Sequence, residues 1–303
     1  MNAYYQPSVF DGTSAGTLEQ SLRLIKEFEQ IALQRNPRGY IVGYSGGKDS
    51  DVLVSLFRRA GVKFMIRHNH TTIDAPETVY YIRKKFAEWT EQGIPCKIYY
   101  PDQSFWRLCL HKKFLPQRNV RYCCSSLKER DIPELKFAVH SFGVRKAESS
   151  RRAKFRDSIE LRDHANYSDT QRFHFDNTDV KQTDACFTKK YFIVNPLAYW
   201  SDNYLWEYIR AENVEINPLY EQGFCRVGCI GCPMAGKHRA EEFKRWPAYE
   251  KMYIRLCDKI IELRNAQGLK NKYGFKSGRE YFEYWLYNEL PLGETIFDLE
   301  DFK

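Results

Sequence analysis

Tyr40-Ile-Val-Gly-Tyr44 running straight into Ser45-Gly-Gly-Lys-Asp-Ser50 decides the fold. The first five residues read as a short buried strand, and the glycine pair reads as a tight turn. A helix is predicted from residue 49 to about residue 59, burying Val52, Leu53, Leu56 and Phe57. Upstream, Thr17-Leu-Glu-Gln20 is a capping box; apolar Leu18, Leu22, Ile25, Phe28 and Ala32 follow at helical spacing until Pro37-Arg-Gly39. Downstream, Gly61 ends the helix after the turn and Val62-Lys-Phe-Met-Ile66 is a second strand. A helix after Pro76, a strand over residues 96–100 and a strand beginning at Lys136-Phe-Ala-Val139 continue the alternation. Such alternation predicts an α/β fold with an open, mostly parallel, doubly wound sheet.

Past Arg151 the pattern breaks. Residues 156–190 are polar, with Asn166, Asn177, several Asp and Thr residues and few apolar positions, and read as a long surface insertion. Tyr191-Phe-Ile-Val194 restores order, Ser201 caps a helix carrying Leu205, Trp206 and Ile209, and residues 239–265 form a strong helical run. The expected organisation is a nucleotide-binding α/β domain over residues 1–200, then a helical region over residues 201–303.

Composition narrows the function classes. The 303 residues, 43% of them hydrophobic, suffice for a sizeable core. A mean hydropathy of −0.61 and no long apolar run argue against a membrane-spanning helix, which needs about 20 such residues. Asp11, Glu19, Glu27 and Glu29 leave no secretory signal visible in the first thirty residues, so the expectation is a soluble, cytoplasmic protein without a membrane partner. The net charge of +8 is concentrated: residues 107–156 hold 14 Lys or Arg against 4 Asp or Glu, so the remainder is slightly acidic. That block is either a solvated face or the footprint of a polyanion or a phosphorylated small molecule.

Nine cysteines without a signal favour reduced thiols over a disulfide scaffold. Five cluster, as Cys123-Cys124 and as Cys225, Cys229 and Cys232, which favours metal ligation. Cys96, Cys109, Cys186 and Cys257 lack partner spacing and read as small core residues.

In residues 45–50 the turn sits where an open sheet places a phosphate site. Two glycines admit an anion close to the backbone, amides at the helix start donate to it, and Lys48 neutralises charge. The spacing is not that of a Walker A loop.

Ser-Gly-Gly-Lys-Asp-Ser after an apolar strand resembles the PP-loop of N-type ATP pyrophosphatases, in the adenine-nucleotide α-hydrolase group. Four further motifs are similar to the phosphoadenosine-phosphosulfate (PAPS) reductase family within it: Arg121-Tyr-Cys-Cys-Ser-Ser-Leu-Lys128, Gly143-Val-Arg-Lys-Ala-Glu-Ser-Ser-Arg-Arg152, Asn195-Pro-Leu197 with Trp200, and Gly228-Cys-Ile-Gly-Cys-Pro233. The resemblance covers residues 38–235. It implies a nucleotide across the carboxyl ends of the strands, its phosphates held by Ser45, Gly46, Gly47, Lys48, Asp49 and Ser50. It places adenosine-side contacts near His68 and His70, which solvated loop histidines would equally explain. Lys128, Arg145 and Arg152 resemble the family's basic phosphate or sulfate contacts, with Glu148 fixing one arginine. Cys123, Cys124, Cys229 and Cys232 are similar to the 4Fe-4S ligands of adenylyl-sulfate reductases; structural zinc and free thiols are the alternatives. Cys225 is a spare thiol that could replace a ligand or act as a nucleophile.

Two departures bear on the reaction. The family's reductases carry a cysteine in a C-terminal Glu-Cys-Gly-type tail, whereas this sequence closes on Leu299-Glu-Asp-Phe-Lys303. Reductases also usually lack the loop lysine, which is present here as Lys48. The pattern looks like the nucleic-acid sulfur-transfer branch typified by the DNA-phosphorothioation component. That resemblance implies ATP cleaved to AMP and pyrophosphate with Mg²⁺, Lys48, Asp49 and Arg145 serving the chemistry. A nucleic-acid acceptor and a sulfur donor such as a cysteine desulfurase are the implied partners. The alternatives are a sulfonucleotide reductase using Cys225, and a non-catalytic nucleotide or iron–sulfur subunit of a larger assembly.

Overall fold

A computed structural model describes residues 17–130, 132–163, 166–174, 191–269 and 274–288. They pack as two compact units interleaved along the chain: residues 1–68, 77–98 and 131–227 belong to the first, and residues 69–76, 99–130 and 228–303 to the second.

The first unit is built on a seven-stranded sheet. Its strands are β1 (Tyr40–Gly43), β2 (Phe64–Asn69), β3 (Cys96–Tyr99), β4 (Val139–Phe142), β5 (Ile159–Asp163), β6 (Asn166–Phe173) and β7 (Tyr191–Val194), in the order β3-β2-β1-β4-β7-β5-β6. β1 pairs in parallel with β2 on one side and β4 on the other, and β4 pairs in parallel with β7. Strand order therefore reverses at β1, the point where open α/β sheets place their ligands. β1 and β7 are apolar and buried, as in a sheet covered on both faces; Tyr40, Ile41, Val42, Ile193 and Val194 are fully buried. Helix Leu18–Glu27 carries the complete Thr17 capping box, and helix Lys48–Ala60 buries Val52, Leu53, Leu56 and Phe57.

The structure departs from the sequence reading in four places. β4 starts at Val139 because Pro133–Leu135 forms a 3₁₀ turn, proline being suited to a first helical position. The second strand covers Phe64–Asn69, beginning later and running further than the apolar run. The long C-terminal run is two helices, His238–Arg245 and Pro247–Ala266, separated where Pro247 cannot continue the first. Within the expected insertion at residues 156–190, β5 and β6 are an antiparallel hairpin whose β5 pairs with β7, extending the sheet. Ile159 and Leu161 alternate into the core, a three-residue signal that the surrounding polar residues hide. Asn177 and Cys186 lie outside the described residues.

The second unit is helical, with an aromatic core. Phe105, Phe243, Tyr253, Phe282 and Trp285 lie in mutual ring contact, drawn from helices Phe105–Lys112, His238–Arg245, Pro247–Ala266 and Gly278–Tyr287. No helix of the described residues is long and apolar enough to cross a membrane.

Candidate nucleotide site and thiol cluster

The loop after β1 is stapled from within. Gly47 caps helix Lys48–Ala60, and its carbonyl accepts from the Ser50 amide at 2.8 Å and from the Ser50 hydroxyl at 2.7 Å. The Ser45 amide and hydroxyl both reach Ser50 Oγ at 3.3 Å. Ser50 thus holds the turn's shape. The Lys48 amide donates to the Tyr220 hydroxyl at 3.2 Å, and Lys48 Nζ lies 5.7 Å and 5.9 Å from the Tyr220 and Trp206 ring centroids. Tyr220 is a loop contact the sequence reading missed, being 172 residues from Lys48.

β4 brings the loop its arginine. A Cβ at Gly143 would stand 2.8 Å from the Asp49 carbonyl oxygen, so only glycine lets this strand end pass so close. Two residues on, Arg145 is buried; its Nε donates to Asp49 Oδ1, its Nη2 to Asp202 Oδ1 at 2.7 Å and its Nη1 to the Trp200 carbonyl at 3.3 Å. Lys48 Nζ takes the other Asp49 oxygen at 2.9 Å. Burial by itself would raise the Asp49 carboxyl, but Arg145 and Lys48 together hold it below its usual value. Both Asp49 oxygens are engaged by protein cations, which makes it a positioning group for Arg145 and Lys48 more than a vacant metal ligand.

Asp51, one turn into the same helix, is a group the sequence reading did not single out. It is buried; Tyr44 donates to its Oδ1 at 2.5 Å and Tyr81 approaches the same oxygen at 3.1 Å, while Oδ2 has no hydrogen-bond partner among the described residues. Burial pushes its carboxyl up to about 7, against the pull of the two tyrosines and Lys85. A folded value above the unfolded one means that the group's contribution to stability is full below about pH 4 and is lost as pH rises through 7. Asp51→Asn is therefore expected to gain on the wild type by about 2–4 kcal/mol between pH 4 and pH 8. Urea unfolding across that range tests this, and parallel stability profiles would refute it.

The thiols assemble within the second unit. Cys123 and Cys124 open a π-helical turn, Cys124–Lys128, closed by the Glu129 amide on the Cys124 carbonyl at 2.7 Å. Such turns recur at functional sites because they redirect side chains. Cys229 pairs by an antiparallel bridge with Asp74, and the Ile230 amide donates to the Ile73 carbonyl at 2.9 Å. Gly231 has φ +70° and no room for a Cβ, which would lie 2.7 Å from Phe243 and 3.0 Å from the Tyr253 hydroxyl. The Gly231 amide donates to buried Glu242 at 2.7 Å, fixing the turn.

The Cys123 thiol, hydrogen-bonded to Cys124, half-buried and close enough to Cys229 and Cys232 to feel their charge, is pushed well up. Accepting that bond lowers Cys124 against its burial, with help from Lys128 and Arg121. Burial raises Cys229, and Lys128 opposes it. All four cysteines thus converge, with cations beside them to balance thiolate charge. No three of the four sulfurs lie within 4.8 Å of one another. A tetrahedral zinc would hold its thiolates about 3.8 Å apart; a cubane, whose thiolates cap separate irons, keeps them further apart. The donor set as folded is too widely spread to close on a single tetrahedral ion.

The remaining predicted residues divide between the units. His68 is buried, with Nδ1 2.9 Å from the Tyr44 carbonyl at the end of β1. Lys128 is exposed and belongs with the thiols. Arg152 is partly exposed and ion-paired with Glu148, which also accepts the Arg145 amide at 2.9 Å. Cys225 is exposed and lies in the first unit. Cys109 and Cys257 are buried, as expected, and Cys96 is half-buried.

A glycine turn capping a helix at the switch point of a mostly parallel sheet defines an α/β adenine-nucleotide-binding domain of PP-loop type. Residues 39–235 match the phosphoadenosine phosphosulfate reductase domain family, and the chain belongs to it. An uncharacterized protein of Methanocaldococcus jannaschii is 24% identical over 279 residues, covering 90% of this chain and 57% of that one. Phosphoadenosine 5'-phosphosulfate reductase of Xylella fastidiosa is 23% identical over 209 residues, covering 66% of this chain and 74% of that one. The crystal structure of phosphoadenylyl-sulfate reductase from Candida auris aligns over 73% of this chain and 98% of that one, with TM-score 0.46 and 17% identity. The chain spans about half the length of the curated relatives it matches most extensively.

Proposed function

We propose that residues 45–50 bind ATP by its phosphates, that an acceptor oxygen attacks the α-phosphorus, and that hydrosulfide, released from a donor persulfide by a thiol reductant, then bonds to the activated acceptor atom as the oxygen leaves with AMP. In the first step the new bond joins acceptor oxygen to phosphorus. The bond to the β-phosphate oxygen breaks, and pyrophosphate departs with the bonding pair. The observation that carries this reading is the complete loop with Lys48 at its mouth. A departing pyrophosphate needs a cation there, whereas a sulfonucleotide has no such leaving group. Arg145 orients Asp49, and Asp49 in turn steadies Lys48. Mg²⁺ enters with the nucleotide as part of the substrate. Cys123, Cys124, Cys229 and Cys232 would hold a 4Fe-4S cluster, which when bound supplies electrons or a coordination point for sulfur. A nucleic acid is the proposed acceptor and a cysteine desulfurase the proposed sulfur donor.

Lys48→Ala is expected to weaken ATP binding about 10- to 100-fold in a folded protein, the scale of one charged hydrogen bond. Calorimetric titration with ATP measures it, and unchanged affinity would remove the site. The reaction class is tested by supplying ATP, adenylyl sulfate and phosphoadenylyl sulfate separately and assaying pyrophosphate and sulfite.

The Xylella relative and the exposure of Cys225 favour a second reading, a sulfonucleotide reductase. Catalytic sulfite release, abolished by Cys225→Ser, would install it in place of the first.

A further inference from the structure

The carboxylates along the segment after Arg145 are already taken. Glu148 pairs with Arg152, Asp157 with Lys146 at 3.6 Å, and Glu160 with Arg156 at 2.8 Å. Arg151, Lys154 and Arg172 are in no ion pair with any carboxylate whose side chain is described, and all three are exposed. Two of them flank one exposed ring. Phe155, at the end of helix Ser150–Phe155, is 46% exposed. The Lys154 ammonium stands 5.4 Å and the Arg172 guanidinium 5.8 Å from its ring centroid. Arg172 is braced on the strand: its Nε donates to the Phe155 carbonyl at 2.8 Å and its Nη1 to the Thr170 carbonyl at 3.1 Å. The segment that Arg145 ties to the nucleotide loop thus presents an exposed ring flanked by Lys154 and Arg172, with exposed Arg151 one helical turn before it.

From this arrangement we infer that Phe155, Arg151, Lys154 and Arg172 form a docking platform for a single strand of nucleic acid. The phosphates meet the three cations and a base stacks on the ring. Every nucleobase offers the ring a π-face to stack on, while its phosphate meets the cations beside it. Fixed cations beside the ring add charge without a new ordering cost, because Arg172 is already held. The inference rests on the reading that the acceptor is a nucleic acid, and gives that acceptor its place on the first unit.

Fluorescence anisotropy of the full chain with labelled single-stranded RNA and DNA oligonucleotides, across a salt series, tests the platform. Phe155→Leu is expected to weaken binding about tenfold with its salt dependence unchanged, the scale of one lost stacking contact. The triple variant R151Q/K154Q/R172Q is expected to flatten the slope of log affinity against log salt by about 2, at about 0.7 per released phosphate contact. Both variants should bind ATP as the wild type does, since neither touches the loop. Unchanged oligonucleotide affinity and slope in both folded variants would overturn the platform. So would equal competition by polyglutamate, which would assign the surface to an acidic protein. Loss of ATP binding in the wild type would instead sink the proposed reaction while leaving oligonucleotide binding measurable.

Discussion

Arg145→Met should destabilise the protein by about 3–5 kcal/mol at pH 7, the scale on which breaking a buried ion pair leaves its partner uncompensated. Arg145 is 1% exposed, so methionine fills comparable space and the loss is electrostatic. Asp49 would keep only Lys48, and the Trp200 carbonyl would lose its donor. Asp202, on the surface, can return to water and contributes little. The pH dependence comes from Asp49. Its folded value lies below the ordinary one, so its stabilisation is present above about pH 4 and lost as pH falls through the folded value. The gap between wild type and variant should therefore narrow below pH 4. Asp49→Asn in the Arg145→Met background should cost little more, because the pair acts as a unit. Urea unfolding of the four proteins of this cycle at pH 7 and pH 3.5 supplies the numbers; additive losses would mean that Arg145 works through its other bonds.

Removing one proposed cluster ligand should have the larger effect. Cys229→Ser, prepared without oxygen, is expected to lose most of its iron and acid-labile sulfide and to unfold at markedly lower urea. Thiolate ligation would join the π-helical turn at Cys124–Lys128 to the glycine turn at residues 229–232 within the second unit, and metal-binding energy spent on such a join is folding energy. The thiols of Cys123 and Cys229 are half-buried, so an empty site leaves polar groups with weak partners. Cys225→Ser, in the first unit, should retain full iron. Stoichiometric zinc without iron in wild-type protein, or a Cys229→Ser variant as iron-rich as the wild type, would remove the cluster from the proposal.

The loop and its surroundings were legible because the relevant physics is local. A strand, a glycine turn and a helix start are adjacent in the chain, so Tyr40 to Ser50 announce the shape of this loop before any tertiary contact is known. The basic block and the two cysteine groups were equally visible as composition and spacing. The hairpin β5–β6 was not, since only Ile159 and Leu161 carry its alternation and their burial depends on pairing with β7.

What the sequence determined about this protein, then, is the type of sheet, the place of the nucleotide loop, the family and the residue types at hand. Which residues meet was decided by the tertiary structure alone. Arg145 reaches Asp49 across 96 residues only because β4 lies beside β1 and Gly143 lets the backbones close. Asp51 became a buried acid, and Tyr220 a loop contact, through packing that no pattern within one segment encodes. The same holds for Phe155, whose neighbour Arg172 arrives on β6. Side-chain chemistry is written residue by residue, but a charge's partner and its solvent are properties of the fold, and those set what the charge does.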